Sequence, residues 1–333
     1  VSRSAVRSLG LLLAVGALAL VVALSLWVGT KSIPFTQTWS LLQADDGSGD
    51  AAIIRDVRVP RAALGLLAGV SLGLSGALMQ ALTRNPLADP GLLGVNMGAA
   101  AAIVTAIAFL GITSASGYLW FSLAGAAVAS VVVYVLGATG RGTVTPDRLV
   151  LSGAALTAVL YAYISAVLLL NAQTFQSFRF WNVGSLAGRT AETVWQIAPL
   201  VVAGVLTALL LGRSLNALAL GESTGRALGA NPGRTRTLGV VAITLMAGAA
   251  TAAAGPISFL GLTVPHIARA VAGTDQRWVL AYSAVLSPIL LLGADVVGRV
   301  VLAPQEVEVG IVTAFLGAPV FIALCRRRKL AQL

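Results

Sequence analysis

The chain is poor in almost everything that soluble catalysts use. It has two lysines (Lys31 and Lys329), one histidine (His266) and one cysteine (Cys325), and only 10% of its 333 residues are charged. Neither lysine follows a glycine in GxxxxGK[ST], so the chain has no Walker A loop and does not bind ATP in that way. The single cysteine excludes an intrachain disulfide and reads as a buried or interfacial thiol. His266 has no Cys, His or carboxylate at ligand spacing, which leaves a polar histidine near Arg269 rather than a zinc ligand. Asp295 is the one carboxylate inside an apolar span, too little for a proton-coupled series. A membrane-embedded enzyme would need a nucleophile, metal or acid–base set at membrane depth, and the sequence offers none.

What abounds is apolar. The chain is 57% hydrophobic with a mean hydropathy of +0.91. Ten stretches approach the ~20 residues that cross a bilayer core as a helix. They fall near 9–29, 61–82, 92–111, 118–138, 149–170, 192–212, 237–254, 258–272, 279–301 and 309–325, the eighth and tenth being short. The run from Leu9 to Val28 is longer than a signal-peptide core and ends without a small-x-small site, so it reads as a retained first helix. A net charge of +10 would suit nucleic acid, but the cations cluster between spans, as orientation in a membrane requires. With the N-terminus inside, the inner segments hold 15 of the 22 cations, and both termini are cytoplasmic.

One polar stretch interrupts this pattern on the inner side: residues 213–236, RSLNALALGESTGRALGANPGRTR. It contains two short helical patterns, Ser214 to Leu220 and Glu222 to Leu228. Ser214 is expected as an N-cap, Glu222 in a first turn, and Gly221 and Gly229 as stops. Leu215, Leu218 and Leu228 would share an apolar side. The segment fits a docking knob for another protein, and it equally fits an amphipathic loop resting on headgroups.

The outer segment 30–60 reads as an extended connection with an acidic tip, Asp45, Asp46 and Asp50, ending in RDVRVPR. Its arginines suit either headgroup anchoring or pairing with carboxylates of an external protein. Gly65, Gly69 and Gly73 leave one face of the second span bare for close helix packing. Thr157, Tyr161 and Ser165 lie four apart on one face of the fifth span; they line a path or bond internally. Phe178, Phe180 and Trp181 are expected to anchor the following outer loop at the interface. Gly255, Pro256, Gly261 and Pro265 break the next apolar stretch, and Asp295 can pair with Arg299 one turn away.

Four long stretches carry a resemblance: RVPRAALGLLAGVSLGLSGALMQALTRNPLADPGLLGVNMGAA, LNALALGESTGRALGANPGRTR, GPISFLGLTVPHIAR and GADVVGRVVLAPQEVEVGIVTAFLGAPVFIAL. In this order, from about residue 55 onward, they resemble the FecCD-type permeases, membrane subunits of ABC importers for iron–siderophores, haem and vitamin B12. The resemblance implies an all-α integral membrane protein of ten transmembrane helices, a single permease domain over residues 1–333 with the type II ABC importer fold. It also implies a bacterial cytoplasmic (inner) membrane, a homo- or heterodimer of permeases, two ATPase subunits below and an extracytoplasmic binding protein above. ATP and magnesium then belong to the ATPase subunits, and this chain binds no cofactor, metal or nucleic acid.

Residue by residue, the resemblance makes about 214–230 the coupling helices, with Leu215, Leu218, Gly221, Glu222, Arg226, Leu228 and Gly229, and with Glu222, Arg226 and Leu228 on the contact face. It matches Arg58 and Arg299 to arginines that dock the binding protein, and it makes Thr157, Tyr161 and Ser165 candidates for the path. FRFWNVGSLAGR and DQRWVLAYSAVLSPILLLGADVVGRVV look most like ferric-siderophore permeases. Vitamin B12 or haem cargo, and an ion-coupled secondary transporter, are the alternatives.

Overall fold

The computed structural model describes residues 3–112, 114–138 and 146–326. Arg141 and the cations at 327–329 lie outside the described residues, as does the side chain of Cys325.

Every element among the described residues is helical. In chain order, α1 (Arg3–Trp27) leads to two short helices, α2 (Phe35–Gln43) and α3 (Gly49–Ala52). A turn of π-helix, Ile53–Arg58, then runs without a break into α4 (Val59–Thr83). Next come α5 (Val95–Leu110), α6 (Ala115–Ala138), α7 (Pro146–Leu170), α8 (Ala172–Asn182) and α9 (Ala191–Leu210). The chain then makes α10 (Gly212–Ala219), α11 (Glu222–Ala227), α12 (Pro232–Ala254), α13 (Leu260–Ala272), α14 (Gln276–Val301) and α15 (Val309–Arg326).

Seven of these segments are long and apolar enough to cross a membrane. Val95–Leu110 and Val309–Ala323 are shorter apolar helices, and α13 has 13 residues. The ten expected spans therefore each find a helix. The connection over 30–60 differs from the expected extended chain: α2, α3 and the π-turn fill it, and Asp50 accepts from Lys31 at 2.6 Å instead of forming a free acidic tip.

Local chemistry sets the ends. Asn231 caps α12 by accepting from the Arg234 amide, and Pro232 follows where a missing N–H costs nothing. Asp275 caps α14 through the Arg277 amide. Gly111 closes α5 in the left-handed region, which only a residue without Cβ enters freely.

α4, α12 and α14 form the centre of the bundle, while α1 and α7 are mostly exposed along their lengths. Small residues make that centre possible. Gly65, Gly69 and Gly73 of α4 lie against Leu292, Pro288 and Ser287 of α14. A Cβ on Gly76 would overlap the Gly261 carbonyl of α13. In lipid there is no hydrophobic drive between helices, so this close backbone approach supplies dispersion contact in its place. Overpacking here has a predictable effect: Gly76→Val should lower unfolding stability by about 1–3 kcal/mol. Thermal unfolding in detergent checks this, against Gly16→Ala, where nothing lies within reach of the added methyl.

The break at Gly255 to Phe259 leaves freed backbone at depth, and protein covers it. The Ser185 amide donates to the Ala254 carbonyl at 2.7 Å, and Gly255 packs on the Trp181 and Gly184 backbone. α8 is therefore part of the bundle. Phe178 and Trp181 are buried, and Phe180 alone of the three expected interfacial anchors is exposed.

Candidate functional site

Two polar ends flank the apolar bundle. At one end, α9 passes almost directly into α10, which begins at Gly212, so Ser214 sits inside the helix rather than capping it. Leu215 and Leu218 are buried against the bundle, 2% and 8% exposed, and do not share a face with Leu228. They fasten α10 from below by apolar contact.

Polar groups complete the fastening. Asn216 Nδ2 donates to Asp275 Oδ1 at 2.7 Å, while Asn216 Oδ1 accepts from the Gln276 amide at 2.7 Å. Arg84, at the end of α4, donates to the Leu218 carbonyl. Glu222 accepts from Arg236 of α12 and lies 3.8 Å from Arg226. Gly221 turns the chain at φ 111°, and Gly229 ends α11 at φ 86°. α10 and α11 are thus tied to α4, α12 and α14 at once.

What faces away from the bundle is small and apolar. Leu220 and Leu228 are 65% and 63% exposed, with the Arg226 side chain beside them on α11. Of the expected contact face, Arg226 and Leu228 are exposed and Glu222 is about one-third exposed. Glu222 is engaged internally by Arg236, and Leu220, expected only as the last residue of the first helical pattern, is exposed beside Gly221. The signal for Leu220 was present, an apolar residue directly before the glycine stop. The anchor at Asp275 was also legible, as an acid heading an apolar helix.

Asp275 lies outside the spans, and its carboxyl is held at about 2, below the usual carboxylate range, chiefly by the Arg277 side chain and also by Asn216. A depressed value means that the anchor is complete above the unfolded pKa of about 4 and is lost only as pH falls toward 2. Protection of α10 amides, corrected for intrinsic exchange, should therefore be flat from about pH 5 to 8. Asp275→Ala should speed that exchange at neutral pH, because it removes the acceptor that holds Asn216 of α10 together with an α14 cap worth about 0.5–2 kcal/mol. Hydrogen exchange with mass spectrometry reads both.

At the opposite end, Arg58, Arg61 and Arg299 are turned inward, 4%, 7% and 2% exposed. Arg58 donates to the carbonyls of Leu26, Trp27 and Lys31. Arg299 donates to the Ser25 and Val28 carbonyls at 2.8 and 3.1 Å and pairs with Asp295. The carbonyls of Ser25, Leu26 and Trp27 belong to the last turn of α1, where four acceptors have no helical partner and the dipole favours a cation, and those of Val28 and Lys31 lie in the chain just after it. Arg61 reaches Asp295 at 2.7 Å and Glu306 at 2.7 Å. Arg58 and Arg299, expected as docking side chains, thus lie buried within this chain. They cap α1 and hold it to α4 and α14, with no face left for an external carboxylate.

Elsewhere on that end Arg179 is exposed, its guanidinium over the Phe180 ring at 4.6 Å. On α7, Thr157 is half-buried and Tyr161 and Ser165 are exposed. None of the three hydroxyls has a hydrogen-bond partner among the described residues, whereas Tyr163 on the other side bonds Thr105 at 2.7 Å. His266 bonds the Pro86 carbonyl at 2.8 Å, and no cluster of three metal-ligating side chains occurs among the described residues.

The comparisons with known proteins bear on the family and the fold. The chain is 49% identical over 312 residues to the ferric enterobactin transport system permease protein FepD of Escherichia coli, covering 93% of each chain. It is 34% identical to the ferric enterobactin transport system permease protein FepG of the same organism, covering 89% of each. The fold matches a solved inward-facing structure of a metal-chelate type ABC transporter with a TM-score of 0.82 at 27% identity, covering 95% of this chain and 97% of that one. The family model for the FecCD transport family matches residues 17–327, nearly the whole of the helical bundle. This chain is a multi-pass membrane protein and belongs to the FecCD transport family.

Proposed function

We propose that this chain is one permease subunit of an ABC importer that carries a ferric siderophore into the cytoplasm. The observation that supports it most is the surface made by α10 and α11. Exposed Leu220, Leu228 and Arg226 stand on a base fastened to three central helices, so force on this knob is transmitted to the bundle. A chain without its own ATP loop then takes its energy from ATPase subunits docked there, with the knob and both termini on the cytoplasmic side.

The open face of α7 supports a place beside a wet path, because unpaired hydroxyls facing lipid would be costly. Thr157, Tyr161 and Ser165 would line that path, opposite a second permease. Two related permeases, FepD and FepG, carry the name of one transport system, which favours a heterodimer. Capture of a loaded binding protein falls to exposed outer groups such as Arg179. The cargo is most simply a catecholate chelate such as ferric enterobactin, named for both relatives.

Uptake of radiolabelled ferric enterobactin into cells deleted for their own permeases of this class, and carrying this chain with its partner genes, a second permease included, tests the reading. Uptake that needs ATP and survives an uncoupler supports it. Uptake abolished by the uncoupler and indifferent to ATP overturns it in favour of an ion-coupled transporter.

A further inference from the structure

Between the last turn of α9 and the first turn of α12 lies a cavity of about 450 Å³, lined among others by Thr207, Leu210, Ser214, Asn231, Arg234 and Thr235. No acidic side chain lines it. Thr235 is only 3% exposed, yet its hydroxyl meets no partner among the described residues. A hydroxyl that opens on a cavity and has no protein partner bonds to whatever fills that cavity, water or the polar end of a ligand.

The charge around the cavity has one sign. Nearby Arg236 is engaged by Glu222, and Arg277 by Asp275, but the exposed Arg234 side chain has no carboxylate partner among the described residues. The 23-residue α12 begins here, and its dipole and first amides favour an anion. At that N-terminus Asn231, which lines the cavity, takes the Arg234 amide. Ser214 adds a hydroxyl from α10.

The other wall is of different chemistry. Leu210 is 81% exposed at the end of a spanning helix, where lipid chains meet headgroups. A polar, cationic floor beside an apolar sill matches a molecule with a phosphate and an acyl chain. We infer that this cavity binds the phosphate of an anionic phospholipid, with Arg234, Thr235, Ser214 and the start of α12 holding the headgroup and Leu210 meeting the chain. A lipid seated there bridges α9, α10 and α12, and so braces the segment that carries α11. This inference needs the membrane setting and does not depend on the cargo.

Native mass spectrometry of the full-length chain in mild detergent tests it, with equal amounts of dioleoyl phosphatidylglycerol and dioleoyl phosphatidylcholine, and with inorganic phosphate as a third arm. The wild type should retain phosphatidylglycerol over phosphatidylcholine by about tenfold, and Arg234→Ala should abolish most of that preference. Thr235→Val keeps the shape, removes the hydroxyl and should weaken retention in the same direction. Equal retention of the two lipids, or variants that match the wild type, overturns the site. Displacement of phosphatidylglycerol by inorganic phosphate overturns the lipid assignment and makes it a free-phosphate site. Arg234 is exposed, so its variant remains informative even if Thr235→Val does not fold.

Discussion

Replacing Asp295 with alanine lowers the stability of the bundle by about 3–5 kcal/mol, the range for removing one partner of a buried ion pair. Asp295 is 1% exposed and is shared by two guanidinium groups, Arg61 at 2.7 Å and Arg299 one turn away. Without it, both cations stay buried in a region from which water is largely excluded, and Glu306 is left to pair with Arg61 alone. The capping of α1 by Arg299 depends on the same carboxylate, so the damage spreads to the contact of α1 with α14. Thermal or denaturant unfolding in detergent measures the loss. The same network governs how docking variants are read. Arg299→Glu would set a carboxylate beside Asp295, and lost binding-protein capture in that variant would report a loosened bundle. Arg179→Glu alters an exposed charge and should change capture while leaving unfolding unchanged.

The second large effect belongs to the coupling knob. Leu220→Asp together with Leu228→Asp should abolish ATP-driven uptake while leaving the chain folded. Both side chains are almost two-thirds exposed, so their loss removes little internal packing. At a protein interface the same leucines would be desolvated apolar anchors. Two buried carboxylates there would cost several kcal/mol, enough to empty the contact at cellular concentrations. Leu215→Asp makes the contrast. That residue is 2% exposed against the bundle, so its variant should lose both folding and uptake. Uptake assays paired with melting temperatures separate the two outcomes.

Much of this architecture was legible in the sequence because the bilayer imposes lengths. Apolar runs of spanning length located the helices, and glycine spacing at 65, 69 and 73 announced the close face of α4 that meets α14. The turns at Gly221 and Gly229 were likewise readable, since a positive φ is easiest for glycine. The burial of individual side chains was not readable. Helical spacing grouped Leu215, Leu218 and Leu228, yet the break at Gly221 reorients α11 and separates them. An arginine near a helix end looks the same whether it meets a headgroup, a partner or a neighbouring helix. Arg58 and Arg299 turn inward because α1 ends with unpaired carbonyls beside them, and that adjacency joins residues 27–32 apart in one case and more than 270 in the other. No local pattern encodes it. The fill of the 30–60 segment escaped notice for a similar reason: α2 and α3 are too short for a clear period, and a small cluster of Ile33, Leu41, Ala51 and Ile54 stabilises them.

The central claim is that α10 and α11 present Leu220 and Leu228 to an ATPase subunit. Placing a photo-crosslinking amino acid at position 228, with Trp195 on the exposed face of α9 as the control position, tests it most directly. After irradiation of membranes and mass spectrometry of the adduct, position 228 should yield a peptide from a protein with a Walker A loop, and position 195 should not. Adducts at position 228 with lipid alone, or the same ATPase adduct from both positions, would contradict the account.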